Sequence, residues 1–224
     1  MEKQIFSCGG RRVALYGKPS PLLLLQPADE READALEKQL AHMESSRPFA
    51  LAAFSVRDWN RELSPWAAEP VFGRTPFGGE AEETLGFLTG ELLPALREAT
   101  YLPQGTALCL GGYSLAGLFA LWAGTRTDLF AGLAAASPSV WFPGWIDYVS
   151  AHPIRAGTVY LSLGEREERT RHPVMRTVAD RIRAQYELLS GDHEAVLEWN
   201  PGGHFDEPDL RLARAFRWLA ERLP

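Results

Sequence analysis

The sequence predicts an α/β fold with a mainly parallel central sheet, helices on both of its faces and a hairpin at the N-terminus. Short continuous apolar runs, typical of strands buried on both faces, alternate along the chain with segments whose apolar residues recur at helical spacing. Two strand-like segments also flank Gly9-Gly10, a pair suited to the positive φ angles of a tight hairpin turn. Strands that alternate with helices pair in parallel, and the helices then cover both faces of the sheet.

Each predicted element is bounded by a local signal, such as a proline, a glycine or a change of apolar spacing. The predicted strands are 5–8, 11–16, 22–25, 49–56, 106–110, 131–136, 158–163 and 194–199. The predicted helices are 30–44, 80–98, 115–124, 174–189 and a last one that begins near residue 208. We expect Pro27 to close the third strand and Pro94 to kink or divide the second helix. Residues 57–79 are predicted to be irregular, and long irregular segments are often functional.

Composition excludes several classes of function. The chain has 224 residues, 46% of them hydrophobic and 23% charged, which predicts one globular domain over residues 1–224. Its net charge of −6 argues against non-specific nucleic-acid binding, and no apolar stretch approaches the roughly 18 residues of a membrane helix. The N-terminus lacks the layout of a secretory signal, and Cys8 and Cys109 are expected to be reduced and buried. We therefore predict a cytoplasmic protein without cofactor, metal, nucleic-acid or membrane partner.

A strand-to-helix corner near the middle of the chain carries a serine between small residues, in the segment GYSLAG at 112–117. Gly112 fits the G-x-S-x-G pattern of a nucleophile elbow, whereas Ala116 stands where the second glycine is expected. The alternative is that Ser114 only caps the helix that follows. The predicted strand before Ser114 and the predicted helix after it favour the elbow.

A serine nucleophile needs a base, and the base is usually oriented by a carboxylate. On folds that carry such an elbow, the chain order is serine, acid, histidine. Of five histidines, His204 follows the last predicted strand and precedes the last predicted helix, in NPGGHF at 200–205. Because Gly202 and Gly203 allow that loop to curl over the sheet edge, the order predicts His204 as the base. A surface-loop histidine is the alternative.

The acid is expected on the loop after strand 158–163, where Glu165, Glu167 and Glu168 crowd one turn. Spacing alone does not separate the three candidates.

An oxyanion hole is commonly built from backbone N–H groups. Leu115, directly after the serine, is the first predicted donor. The second is expected from Ala28 or Asp29, because the preceding Pro27 has no N–H.

Four segments resemble a known family: GYSLAGLFAL at 112–121, ASPSVW at 136–141, YLSLGERE at 160–167 and PGGHF at 201–205. The chain is similar to the Putative esterase branch of the α/β-hydrolase superfamily, and most similar to its compact members that resemble enterochelin (siderophore) esterases. That branch also includes S-formylglutathione hydrolases, feruloyl esterases and mycolyltransferases. The elbow and the histidine loop are the most specific parts of the resemblance.

The resemblance implies an α/β-hydrolase fold with Ser114 as nucleophile and His204 as base. In the family pattern the acid falls three residues after the glycine that ends the strand, here Gly164, which selects Glu167. The chain departs from many relatives in the turn QPAD at 26–29, where they carry Asp-Gly.

Four tryptophans fall in segments expected to edge this site: Trp59, Trp66, Trp141 and Trp145. Their rings would either stack on an aromatic acyl group or pack the long segment onto the sheet, and the sequence leaves both open. Tyr113 is a further substrate-binding candidate. Arg57 or Arg61 would offer a guanidinium fork to an anionic substrate.

The sequence therefore predicts a serine hydrolase that cleaves carboxylic esters through an acyl-enzyme on Ser114, with a small-molecule ester as its partner. A siderophore trilactone, a small acyl ester and a thioester are all compatible substrates, since a fold does not determine a substrate. An acyltransferase on the same fold and a non-catalytic binding module are the alternatives.

Overall fold

The structure, a computed structural model, describes residues 1–29, 33–43, 47–189 and 191–223. Its strands are β1 Lys3–Cys8, β2 Arg11–Tyr16, β3 Leu22–Asp29, β4 Ala50–Val56, β5 Ala67–Ala68, β6 Phe77–Gly78, β7 Ala107–Tyr113, β8 Gly132–Ala136, β9 Thr158–Gly164 and β10 Glu194–Asn200. Its α-helices are α1 Ala33–Ala41, α2 Trp59–Glu62, α3 Ala81–Phe87, α4 Leu93–Glu98, α5 Leu115–Arg126, α6 Trp145–Ala151, α7 Val178–Leu189 and α8 Pro208–Ala220. A π-helical turn, Leu88–Leu92, joins α3 to α4, and a 3-10 turn, Met175–Thr177, precedes α7.

Eight strands form one sheet in the order β1-β2-β4-β3-β7-β8-β9-β10. The β1–β2 and β2–β4 pairs are antiparallel, and every other neighbouring pair of this sheet is parallel. The predicted hairpin is confirmed, because Gly9 and Gly10 connect β1 to β2 with φ angles of 55° and 71°.

Alternating side chains of the central strands fill two cores, one on each face of the sheet. In β3, Leu23 and Leu25 point into one core, whereas Leu22 and Leu24 point into the other. Helices α3 to α7 contribute to the first core, and α1 and α8 contribute to the second. The predicted fold class, a mainly parallel sheet covered on both faces, is confirmed.

Two strands extend further than the sequence predicts. β3 does not close at Pro27 but continues to Asp29, because only β4 pairs with it beyond Leu25 and a proline is tolerated where one side has no partner. β7 continues to Tyr113, so that the strand leads directly into Ser114. Both extensions lengthen the sheet edge at which the site is built.

The segment 57–79 is not wholly irregular as predicted, since it contains the short α2 and the β5–β6 pair. Helix α6 was not predicted either, because a seven-residue helix shows too few turns for apolar spacing to reveal it. The predicted helix 80–98 is divided by the π-helical turn before Pro94, as expected of a proline that lacks the N–H. Of the helix predicted at 30–44, α1 covers the centre; residues 30–32 and 44 lie outside the described residues.

Both cysteines are free thiols, but only one is buried as predicted. Cys109 lies within β7, where burial raises the pKa of its thiol far above the ordinary value and keeps it protonated. Cys8 is only partly buried, because β1 is an edge strand. Within the described residues, no helix is long and apolar enough to span a bilayer.

Candidate active site

Three loops that carry predicted site residues meet at one edge of the sheet. Ser114 follows β7, Glu167 follows β9 and His204 follows β10. These strands and the intervening β8 run parallel, so their carboxyl ends lie at the same edge, where ligands bind in open α/β sheets.

Ser114 occupies a backbone conformation that serine rarely adopts, with φ 58° and ψ −119°. Such a conformation costs about 1–3 kcal/mol and persists only where the surroundings enforce it. Here the Ser114 N–H donates to the Ala136 carbonyl at 3.1 Å, and the N–H groups of Ser139 and Leu118 donate to the Ser114 carbonyl at 3.0 and 3.1 Å. The corner is therefore held from both sides while the hydroxyl faces a cavity.

Gly112 explains how this corner accommodates Ala116. A Cβ added at Gly112 would lie 2.4 Å from the Ala116 Cβ, closer than two carbon atoms can approach. The alanine methyl thus occupies the space that the missing side chain of Gly112 leaves. Gly117, one step later, allows a close approach to Pro138, since a Cβ there would lie 3.2 Å from the proline Cβ.

Ser114, His204 and Glu167 form a continuous hydrogen-bonded chain. His204 Nε2 lies 3.0 Å from Ser114 Oγ, and His204 Nδ1 lies 2.8 Å from Glu167 Oε2. The Glu167 side chain is 1% exposed, whereas Glu165 and Glu168 are exposed to solvent. Of the three candidate glutamates, Glu167 is therefore the one whose carboxylate contacts the histidine.

Burial of Glu167 is compensated by donors on its other oxygen. Oε1 accepts from the Gly164 N–H at 2.7 Å, the Ser137 hydroxyl at 2.8 Å and Arg211 Nη1 at 3.2 Å. Arg211 is itself 2% exposed, so this is a buried ion pair. Removing one partner of such a pair leaves the other charge buried without compensation, which destabilises the folded protein by about 3–5 kcal/mol.

The histidine loop is attached to its neighbours through backbone contacts. The Tyr113 hydroxyl donates to the His204 carbonyl at 2.6 Å, and burial raises the pKa of that phenol, so it stays a donor. The Gly203 N–H donates to Asp206 Oδ2 at 2.7 Å, and this bond, more than the nearby Arg166, lowers the pKa of the Asp206 carboxyl. Gly202 has φ 96°, the left-handed conformation in which the predicted curl of the loop needs a glycine.

A cavity of about 370 Å³ opens in front of Ser114 and His204. Of the residues predicted to contact the substrate or the oxyanion, the structure brings Ala28, Trp59 and Tyr113 to its lining. Leu115 is the first residue of α5, and first-turn amides of a helix have no intrahelical acceptor. The Leu115 N–H therefore has no acceptor within α5, and it lies directly beside Ser114.

Arg61, another predicted substrate-binding residue, lies elsewhere. Its guanidinium pairs with Glu80 at 2.6 Å, and it lines a second cavity of about 450 Å³ together with Arg57. Arg57 in turn donates to the Gly10 carbonyl at 2.7 Å. The described residues that line the Ser114 cavity include no lysine or arginine, so the structure does not bring the expected guanidinium fork to this serine.

The remaining tryptophans pack rather than line this cavity. Trp145 is fully buried and its Nε1–H donates to Gln185 at 2.8 Å, while the Trp66 Nε1–H donates to the Pro143 carbonyl at 3.0 Å. Trp141 is 7% exposed and its ring contacts the exposed Phe72 at a centroid distance of 4.9 Å. Among the residues that the structure describes, the Ser114 cavity is lined by Trp59 but not by these three.

Sequence reasoning missed Ser137 and Arg211, which bind the second oxygen of Glu167. Ser137 belongs to no catalytic motif. Arg211 carried one signal, since it directly precedes Leu212 and lies one turn before Ala215, both of which are buried with it in α8. An arginine on a buried face needs a partner for its charge.

Residues 23–204 match the family described as Putative esterase. A search of curated protein sequences found no match. Among solved structures, an IroE-like serine hydrolase from Shewanella oneidensis superimposes with a TM-score of 0.79 at 17% identity, covering 98% of this chain and 80% of the other. The siderophore hydrolase EstB from Aspergillus nidulans gives 0.74 at 16% identity, with coverage of 97% and 94%.

The enterobactin esterase FES from Shigella flexneri gives a TM-score of 0.67 at 19% identity, and the match covers 97% of this chain but 59% of that longer one. At such identities these likenesses describe the fold, which is that of α/β-hydrolases. The family match is independent of them and spans most of the chain. The chain therefore belongs to the Putative esterase family, with small-molecule esters as the substrates that the family name denotes.

Proposed function

We propose that this protein is a serine hydrolase that cleaves carboxylic esters through an acyl-enzyme on Ser114. The observation that carries the proposal is the chain of hydrogen bonds from Ser114 Oγ through His204 to the buried Glu167. Nucleophile, base and orienting acid within hydrogen-bond reach are the geometric signature of an activated serine.

In the proposed reaction, His204 Nε2 takes the Ser114 proton as Oγ bonds to the ester carbonyl carbon. The carbon–oxygen bond to the leaving alcohol then breaks, and His204 returns the proton to that alcohol. Water, deprotonated by the same imidazole, attacks the acyl carbon; the bond from that carbon to Oγ breaks, the acid leaves, and His204 returns the proton to Ser114 Oγ. Glu167 holds the Nδ1–H tautomer and stabilises the imidazolium that forms in each step.

The negative oxygen of each tetrahedral intermediate requires hydrogen-bond donors. We assign the Leu115 N–H as one of them, because it lies beside Ser114 at the start of α5. The second would come from the end of β3, where Ala28 borders the same cavity. Losing one oxyanion donor commonly lowers kcat by about 10²–10³.

The cavity supports a substrate with an apolar or aromatic acyl part. Trp59, Pro27 and Leu212 contribute to its lining, and Phe205, which is 90% exposed beside His204, stands at its mouth. Siderophore trilactones and small acyl esters are the candidate substrates, and the similarity to the siderophore hydrolase EstB and the enterobactin esterase FES supports the former.

We also propose that residues 1–224 act as one domain, since both cores pack on the same sheet. A cytoplasmic location stays a prediction.

Fluorophosphonate labelling tests this function. We expect the folded wild-type protein to gain one phosphonyl group on the peptide that contains Ser114, as read by mass spectrometry. Ser139 is the matched control, because its hydroxyl lies 3.3 Å from Ser114 Oγ; Ser139→Ala should still be labelled. A folded wild-type protein that takes no label would contradict the hydrolase and favour a binding module.

Phe205→Ala should weaken binding of esters with an aromatic acyl group. An aromatic contact contributes about 0.5–1.5 kcal/mol, so we expect KM for p-nitrophenyl benzoate to rise about 2- to 10-fold while kcat changes little. KM for p-nitrophenyl acetate should stay within about twofold, since the acetyl group offers no ring to contact.

Phe72→Ala is the control for this prediction, because Phe72 is also exposed but contacts Trp141 and His172 instead of lining the Ser114 cavity. Equal effects of Phe205→Ala on benzoate and acetate esters would argue against an aromatic contact at the mouth.

A further inference from the structure

Arg211 is a buried arginine that contacts the elbow, the acid loop and the histidine loop at once. From α8, its Nη1 donates to Glu167 Oε1 at 3.2 Å and to the Tyr113 hydroxyl at 3.2 Å. Its Nη2 donates to the Pro201 carbonyl at 2.8 Å, at the start of the histidine loop. Tyr113 directly precedes Ser114, so one guanidinium joins the three segments of the proposed triad.

The two oxygens of Glu167 have separate partners. Oε1 accepts from Arg211, the Ser137 hydroxyl and the Gly164 N–H, whereas Oε2 lies 2.8 Å from His204 Nδ1. Arg211 also donates to the Ser137 hydroxyl at 3.3 Å, so the donors on Oε1 support one another. A carboxylate held in this way cannot rotate to offer His204 its other oxygen without losing these bonds.

We propose that Arg211 is a positioning residue for hydrolysis: it holds Glu167 so that Oε2 faces His204 Nδ1. The proposal rests on the proposed function of Ser114. Nothing in the G-x-S-x-G pattern or in the order of serine, acid and histidine requires such an arginine.

Burial distinguishes Arg211 from Arg166, which also lies in this region. Tyr113 on β7, Glu167 after β9, and His204 and Asp206 after β10 face this region. Arg166, 60% exposed, pairs with Asp206 on the solvent side, whereas Arg211 is the buried cation beside Glu167.

A buried carboxylate keeps its orientation while its hydrogen-bond donors stay in place. Without the Arg211 guanidinium, Oε1 keeps the Ser137 hydroxyl and the Gly164 N–H but loses the donor that also contacts Tyr113 and Pro201. Glu167 and the histidine loop are then held less firmly, and His204 spends less time in line with Ser114.

The test compares kcat and KM for hydrolysis of a p-nitrophenyl ester between the wild type and folded Arg211→Met. We expect kcat to fall about tenfold with KM nearly unchanged, because Arg211 does not line the Ser114 cavity. Arg211→Lys retains the charge but not the fork, so it should keep the fold while kcat is still lowered. Arg217→Met removes a charge further along α8 and should change neither quantity.

A wild-type kcat in folded Arg211→Met, or a loss that appears only as a higher KM, would overturn the proposal. Should that variant not fold, Arg211→Lys is measured instead: a lowered kcat with unchanged KM is expected, and a wild-type kcat would overturn the proposal. A wild-type protein without hydrolysis or labelling would instead contradict the proposed function itself.

Discussion

Ser114→Ala should lower kcat for ester hydrolysis by about four to six orders of magnitude and leave the fold intact. The substitution removes the one atom that bonds to the acyl carbon, while the cavity and the proposed oxyanion donors stay. Alanine meets the same backbone strain as serine at φ 58°, so the melting temperature should change little. Hydrolysis of a p-nitrophenyl ester, followed with purified folded protein, measures the loss.

His204→Ala should lower kcat to a similar level, and the double variant Ser114→Ala/His204→Ala should be no worse than either single one. Residues that act as one unit show such non-additive losses. The matched control is His172→Ala, because that ring contacts Phe72 and does not line the Ser114 cavity in the described structure. If Ser114→Ala retained more than a hundredth of the wild-type kcat, about two to four orders above the expected value, an acyl-enzyme on this serine would be excluded.

Glu167→Gln should lower kcat by about 10³- to 10⁴-fold. Three donors surround Oε1 of this side chain, so the amide oxygen of glutamine must take that position. Its NH₂ group then faces His204 Nδ1 and donates to it, which leaves the ring proton on Nε2. A ring with its proton on Nε2 cannot take the proton of Ser114.

The same substitution removes the partner of the buried Arg211 and should destabilise the protein by about 3–5 kcal/mol, measured as a fall in melting temperature of roughly 6–20 °C. The kinetics of this variant are therefore recorded well below its melting temperature, and circular dichroism verifies that it is folded. Glu165→Gln and Glu168→Gln are matched controls, because both side chains are exposed. A Glu167→Gln enzyme with full kcat beside an inactive Glu165→Gln would transfer the acid role to Glu165.

Much of the fold could be predicted from local patterns. The apolar runs of β3, β4 and β9 and the spacing in α8 reflect burial on one or both faces, which the order of residues reports directly. The short α6 and the β5–β6 pair could not be predicted, since so few residues carry no periodicity. Their positions depend on contacts with distant aromatic rings, such as that between Trp66 and Tyr148.

The residues of the candidate site likewise include some that the sequence could predict and some that it could not. Ser114 and His204 could be proposed from the sequence because each lies in a glycine-containing loop at the end of a strand, where backbone requirements leave a pattern. Arg61 was expected to bind an anionic substrate only because of its position in the chain. In the structure it forms an ion pair with Glu80 at a different cavity. Proximity along the chain does not report which way a side chain turns.

By itself, the sequence determined the α/β class, the strand order along the chain and the loops that carry serine, acid and histidine, since these follow from local burial and backbone conformation. Residue spacing left Glu165, Glu167 and Glu168 equivalent, and the family resemblance selected Glu167. The tertiary structure supplied the physical reason, because burial and the contact with His204 arise when β9 and β10 pair. It alone also revealed Arg211, a residue of α8 that meets Glu167 across 44 positions of the chain. The physical reason is that a charge can be buried only where its partners converge in space, and that convergence is a property of the assembled sheet and helices.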